Sequence, residues 1–273
     1  MNVMGLIAGS GPLPVLFAKD ARDRGISVVA VGHLGETGEE LQHHVANLTW
    51  VRVGELDALV QALLEGGAKQ VVVLGGIDKR RAMKNARLDE RGLRVLKELA
   101  ARGDDALLGA LARELESEGL HVVSSQEYFS SRLAPEGVWT ERQPTPQEVG
   151  DLHLGVRVLT QLGSLDIGQT VVVKEGAVVA IEAIEGTDRT ILRGGNLAGA
   201  GAAVVKGSKP DQDMRFDVPV VGPGTMKVMC SVGIGLLAVE AGRTIVLEKE
   251  EMVKIGNKEG VCMLGWRRED IDA

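Results

Sequence analysis

Val3-Met-Gly-Leu-Ile-Ala-Gly-Ser-Gly-Pro-Leu-Pro14 is an apolar run that halts at a glycine turn and passes directly into helical spacing. Residues 3–8 read as a buried strand stopped by that turn. From Leu13 to Arg24 the residues Leu13, Leu16, Phe17 and Ala21 share one helical face. Ser10 is placed to cap this helix, and Pro12 suits its first turn, where the missing N–H costs little. The alternation then repeats. Ile26–Val31 reads as a strand, Leu56–Leu64 as a helix and Gln70–Leu74 as a β-branched strand ending in Gly75-Gly76. Two helices follow, Leu88–Ala101 and Asp105–Glu118, broken at Gly103-Asp104 with Asp104 as the expected cap, and Leu120–Ser124 closes the half as a strand. Strands alternating with helices imply an α/β fold, here an N-terminal Rossmann-like, mostly parallel sheet over residues 1–132.

Between residues 133 and 146 the character changes. Pro135, Pro144 and Pro146 stand among Gly137, Thr140 and charged residues without periodicity, which reads as a linker. Residues 147–273 then form a C-terminal mixed α/β domain, expected to be the catalytic one. It opens with a helix from Gln147 to Leu162, followed by a hairpin, Thr170–Lys174 and Ala177–Ala183, about the turn Glu175-Gly176. A helix over Thr187–Leu197, a strand over Ala203–Lys206, a helix starting at Thr225–Met229, and strands at Thr244–Leu247 and Val261–Leu264 complete the reading.

Bulk properties exclude several classes. A chain of 273 residues with net charge −7 and 3% aromatics lacks the basic stripe and stacking platforms of a nucleic-acid binder. Two cysteines without CxxC spacing argue against a disulfide framework or zinc site and for a reducing cytoplasm. No apolar run reaches bilayer length, and a homodimer is the base-rate expectation.

Candidate site residues cluster at turns. Gly9-Ser10-Gly11 follows a strand and opens a helix, so its amides can face a phosphate; a plain tight turn is the alternative. Pro14 stands where a dinucleotide fingerprint needs a small residue, and no acid ends the Val29–Leu34 strand, which disfavours a nicotinamide site. The segment Gly75-Gly76-Ile77-Asp78 lies at the carboxyl end of a strand, where open parallel sheets bind ligands, with helix capping by Asp78 as the alternative. Asp104-Asp105 and Glu185-Gly-Thr-Asp188 divide in the same way between capping and holding a ligand. Asp211, Asp213 and Asp217 accompany Lys206, Lys209 and Arg215. If Phe216 points to the core of an extended segment, Arg215 and Asp217 share the opposite face, a metal ligand or base beside a phosphate-binding guanidinium. The five histidines show no metal-ligand spacing, and Cys230 reads as a buried small residue. Glycine turns in one half and aspartates in the other point to phosphate-ester or phosphoanhydride chemistry in a cleft between two domains.

At these motifs the chain resembles the LpxI family of UDP-2,3-diacylglucosamine pyrophosphatases. The likeness runs in order through Gly5–Pro14, Arg102–Leu108, Leu165–Gln169, Ala183–Asp188 and Met214–Gly222. It implies magnesium-dependent hydrolysis of this lipid-linked nucleotide sugar at its sugar-side phosphorus, giving UMP and lipid X in the lipid A pathway. It further implies a cytoplasmic protein that touches the inner-membrane surface. The family's essential aspartate falls on Asp217, as base or metal ligand. Its ligand-facing positions fall on Gly11, Gly75, Gly76, Ile77, Asp78, Asp104, Asp105, Val122, Gly168 and Asp188. Ile77 stands where the family often has a polar residue, which leaves only backbone contact there. Arg215 and Lys209 are the further candidates for clamping phosphate. A non-catalytic nucleotide-sugar or lipid carrier using the same glycine turns is the competing class, and a nucleotide-sugar oxidoreductase a weaker third.

Overall fold

A computed structural model of the chain describes residues 2–78, 81, 84–98, 104–165, 167–210, 212–216 and 218–270, with the side chains of 98, 104–107 and 270 left aside. The fold is mixed α/β, as expected, and divides into two compact units: Met1–Phe129 with Asp213–Asp217, and Ser130–Gln212 with Val218–Ala273.

The first unit is built on five parallel strands: β1 (Val3–Ala8), β2 (Ser27–His33), β3 (Asn47–Val51), β4 (Gln70–Leu74) and β5 (His121–Val122), in spatial order 3-2-1-4-5. That order reverses between β1 and β4, the topological switch point of a doubly wound sheet. Among the described residues the α-helices α1 (Leu13–Asp23), α2 (Leu56–Glu65), α3 (Glu90–Glu98) and α4 (Asp104–Ser117) accompany the strands. Central strands covered on both faces read as continuous apolar runs, and β1 buries Met4 through Ala8. One core joins Ile7, Val31, Val71 and Val73 with Leu59 and Leu63 of α2 and Ala112 and Leu115 of α4. On α1, the fully buried Phe17 meets Tyr128 edge to face, with centroids 4.8 Å apart. Ser10 does not cap α1. Its hydroxyl donates to the Gly76 carbonyl instead, and Pro12 is the cap residue, with no side-chain hydrogen bond.

Phe216 belongs to this same core at 9% exposure, although the residues flanking 213–217 lie in the other unit. The expected inward Phe216 is therefore observed, but residues 214–216 form a turn closed by Phe216 N–H to Asp213 O (3.1 Å), not an extended segment. A turn does not have the two-residue alternation of an extended segment, so that pattern does not apply to residues 214–216.

The second unit holds a six-stranded mixed sheet in the order 6-13-11-9-7-8. Its strands are β6 (Gly137–Val138), β7 (Thr170–Lys174), β8 (Ala177–Ile181), β9 (Ala203–Lys206), β11 (Leu236–Glu240) and β13 (Cys262–Trp266). β10 (Val220–Val221) and β12 (Ile245–Val246) pair separately. Residues 133–146, read from the sequence as a linker, supply β6, which pairs antiparallel with β13. They also supply Thr145, whose capping box with Glu148 opens α5 (Pro146–Gly163). Leu152, Val156 and Leu159 of α5 pack with Val171, Val173, Ala203 and Val205. The alternate residues Val172 and Val204 pack with Ile191 of α6 (Thr187–Ala198), Met226 and Met229 of α7 (Pro223–Ser231) and Met252 of α8 (Lys249–Glu259). Successive side chains thus serve opposite faces, and both faces are covered.

Candidate active site

Two glycine turns 66 residues apart in sequence are strapped together at the switch point of the first unit. Gly9 N–H donates to Leu74 O (2.8 Å), Ser10 N–H to Gly76 O (2.7 Å), and Gly76 N–H to Ser10 O (3.2 Å). A Cβ on Gly9 would overlap the Gly76 carbonyl, and one on Gly75, whose φ is +88°, would overlap that of Ser10. Glycine is required at both positions, for close backbone approach and for a left-handed conformation. Gly11 also has positive φ (+93°), but open space lies where its side chain would point. Beside it is a cavity of about 240 Å³ reached by Lys19 and Thr37. The structure therefore joins Gly11 with Gly75 and Gly76 in one place.

Past β4, Asp78 accepts the Arg81 amide at 3.0 Å in a cap-like contact, while its own amide donates to Glu36 (3.1 Å). Glu36 is the acid that sequence reading missed. It lies three residues beyond the end of β2, its side chain is 3% exposed, and it pairs with Arg81 at 3.5 Å. Both its oxygens hold the post-β4 turn. Glu36, Arg52, Arg81 and Asn85 border a second cavity, of about 270 Å³. Ile77 is half-buried. Val122 is 6% exposed and core-facing, which limits it to backbone contact. Asp104 and Asp105 open α4, but their side chains, like the whole of Asp217, Asp211 and Gly103, lie outside the described residues.

Arg215 is committed elsewhere. Its guanidinium meets Asp213 through Nε (3.0 Å) and Nη2 (2.7 Å), reaches Glu116 of α4 at 3.3 Å, and lies over the Phe216 ring. This guanidinium holds the Asp213 carboxyl below its ordinary range. Arg215 thus ties a turn to a helix within the first unit. Lys209 is buried, and its amide donates to Gln212.

The other two predicted positions, Gly168 and Asp188, lie in the second unit. Gly168 has φ +54°, and a Cβ there would overlap the Glu182 carbonyl. Both carboxylate oxygens of Glu182 accept from the Thr187 hydroxyl, at 3.2 Å each. Thr187 is the first residue of α6, Asp188 the exposed second, and the cap is Gly186, without side-chain help. Neither Thr187 nor Asp188 caps, contrary to the simplest reading of that turn. The Thr187 hydroxyl also accepts from Lys206 Nζ (2.7 Å), which is 3.4 Å from Thr170 Oγ1.

Burial lowers the pKa of His33, whose Nδ1 lies 2.9 Å from Ala8 O. Burial raises both thiols, and Cys230 is half-buried, not fully buried as expected. Among the described residues no group of three or more His, Cys, Asp or Glu side chains could hold a metal ion. No described helix is long and apolar enough to cross a membrane.

A doubly wound parallel sheet with two glycine turns strapped at its switch point, followed by a mixed six-stranded sheet with helices on both faces, defines an α/β protein of two units. The LpxI N-terminal domain model matches residues 3–132 and the LpxI C-terminal domain model residues 135–264. The chain is 33% identical to the UDP-2,3-diacylglucosamine pyrophosphatase LpxI of Caulobacter vibrioides, over 97% of this chain and 98% of that protein. This chain belongs to the LpxI family. Solved structures give weaker likenesses. N5-carboxyaminoimidazole ribonucleotide synthetase from Thermotoga maritima is 10% identical, with TM-score 0.26 over 67% of this chain and 41% of that one. The biotin carboxylase domain of Hydrogenobacter thermophilus 2-oxoglutarate carboxylase is 12% identical, with TM-score 0.26 over 71% and 41%.

Proposed function

We propose that this chain hydrolyses the pyrophosphate of UDP-2,3-diacylglucosamine to UMP and 2,3-diacylglucosamine 1-phosphate, a step of lipid A biosynthesis. One observation carries the reading: the match to the Caulobacter pyrophosphatase is full-length, at 33% identity, and covers both domains. The amides of Gly9, Ser10 and Gly76, expected in part to face a phosphate, are taken up by the strap, so what the paired turns offer a nucleotide diphosphate is close main-chain approach at Gly11 and Gly75 beside the start of α1.

In this reading Gly11, Gly75 and Gly76 let the substrate approach the main chain, and Asp78, Asp104, Asp105 and Val122 complete the contacts of the first unit. Gly168 and Asp188 serve in the second. Asp217 orients the attacking water or accepts its proton. Water adds to the sugar-side phosphorus, the bond from that phosphorus to the bridging oxygen breaks, and the bridging oxygen leaves with UMP. Magnesium is the proposed ion, and when bound it would neutralise charge on the diphosphate. Magnesium binds through one or two carboxylates and the substrate's phosphates, and Asp217 is the carboxylate proposed to hold it. The proposed setting is cytoplasmic, with contact at the inner-membrane surface where the lipid resides, and a homodimer is the proposed assembly.

The test is UMP release from the lipid substrate in H₂¹⁸O with magnesium. Label in the sugar phosphate and loss of turnover in Asp217→Ala support the proposal. Tight UDP binding without any product would favour a carrier, and full activity in Asp217→Ala would remove the assigned role.

A further inference from the structure

The Glu36 side chain is 3% exposed and lies three residues past the end of β2. A carboxylate taken out of water is costly unless it is bonded and paired. Among the described residues its oxygens are spent on one short stretch of chain. Oε2 accepts the Asp78 amide at 3.1 Å, and Oε1 lies 3.5 Å from Arg81 Nε. The contacts close a ring, because Asp78 Oδ1 accepts the Arg81 amide at 3.0 Å and the Arg81 guanidinium donates back to the Gly35 carbonyl.

Glu36 is itself held in place. Its amide and that of Thr37 both donate to His33 O, at 3.0 and 2.9 Å, so the chain after β2 folds back on itself. The Thr37 hydroxyl accepts the His33 amide at 2.8 Å and donates to Ala8 O at 2.6 Å. Ala8 immediately precedes the Gly9 turn. The loop after β2 therefore grips the first glycine turn through Thr37 and the second through Glu36, and all of these residues lie in the first unit.

The second turn depends on such a grip. Gly75, Gly76 and Asp78 are exposed and Ile77 is half-buried, so little apolar burial holds the segment. Segments of that kind open with small free energies. A hydrogen bond to a charged group shifts a local equilibrium by roughly tenfold to a hundredfold, enough to decide whether this one is mostly closed or mostly open.

We infer that Glu36 is a positioning residue for substrate binding: it holds residues 75–78 in the conformation that meets the substrate and touches no reacting atom itself. The inference deepens the pyrophosphatase reading and rests on its placing of residues 75–78 against the substrate. Contacts made equally in the ground state and the transition state set KM and not kcat. Without Glu36 the substrate must first close the turn, and once saturating it keeps the turn closed.

The experiment uses the full chain with Glu36→Ala, which removes the acceptor, and Glu36→Gln, which keeps an acceptor and loses the charge. KM and kcat for UMP release, the Kd of the same lipid substrate without magnesium, and amide exchange of residues 76–78 are measured for each. In Glu36→Ala exchange should quicken by about tenfold or more. KM and Kd should rise by about threefold or more, with kcat within about threefold of the parent. In Glu36→Gln, KM should follow exchange, rising only as far as protection is lost. Unchanged exchange in Glu36→Ala, a smaller rise in KM and Kd, or a fall confined to kcat would overturn the role. So would a raised KM in Glu36→Gln with exchange still protected. If the parent releases no UMP, the function reading fails and the Kd comparison decides Glu36; a parent that neither turns over nor binds the lipid would overturn both.

Discussion

Phe216→Ala is the perturbation with the sharpest consequence, because one side chain holds the segment that ends in Asp217. Among the described residues, the contacts that fix residues 213–216 to the first unit include the Phe216 ring in the core, Arg215 to Glu116, and Ser124 Oγ to Met214 O at 3.4 Å. The Arg215–Glu116 pair is more than a third exposed on both sides, so screening leaves it worth at most about 1 kcal/mol. The Ser124 contact is long. Phe216 is only 9% exposed, and burying a ring of about 150–200 Å² at roughly 25 cal/mol per Å² is worth about 4 kcal/mol. The methyl of alanine retains part of this, so the loss is about 3 kcal/mol, within the usual range for core phenylalanine truncation. Docking of this short segment is a local equilibrium, so most of that loss should go into local opening and not into global unfolding. About 3 kcal/mol corresponds to a shift of roughly 150-fold toward the open form, since each 1.36 kcal/mol is tenfold. Hydrogen exchange in residues 212–218 should quicken by about that factor if the segment stays mostly docked in the variant, with UMP release then falling no more than about twofold. Phe216→Leu should restore most of the protection. Unchanged exchange in 212–218 of Phe216→Ala would refute the reasoning.

Further outcomes follow from other contacts. Gly75→Ala would bring a Cβ onto the Ser10 carbonyl at φ +88°, so chemical denaturation should show a loss of roughly 2–4 kcal/mol. Glu175 occupies the hairpin turn at φ +50°, and Glu175→Asn should stabilise the fold by roughly 0.5–1 kcal/mol in the same assay. For Glu148, burial raises the carboxyl pKa, but the bonds from Arg142 and the Thr145 amide outweigh it and leave the pKa below the ordinary range. Its contribution is therefore complete above the unfolded-state pKa, about 4.3, and fades as pH falls through the lower folded value. The gap in thermal midpoint between the parent and Glu148→Gln should be largest near neutral pH and shrink below about pH 4, and a pH-independent gap would contradict the assignment.

Local pattern was enough to find β1, α1, α2, β4, α5, the β7–β8 hairpin, α6 and β9, since periodicity and turn chemistry act within a few residues. It missed β3, a half-buried edge strand whose residues Leu48–Trp50 are all of intermediate burial, so no two-residue alternation marks it. It missed α8 for a related reason: this helix is rich in charge and buries only Met252 and Gly256. β11 escaped although all five of its residues are buried, because a short apolar run carries no period of its own.

By itself the sequence determined the α/β class, the glycine turns and, through five motifs in order, the family. Only the tertiary structure decided which turns meet. The Gly9–Gly76 strap, the buried Glu36 on the Asp78 turn, the return of Phe216 to the first unit's core, and the Lys206–Thr187–Glu182 cluster join residues far apart in the chain. It also showed Arg215 bound to Asp213 and Glu116, where charge alone had suggested a phosphate clamp. The physical reason is the same throughout. Secondary structure follows from interactions between near neighbours, whereas a site depends on which distant groups the packed sheets bring within a few ångströms.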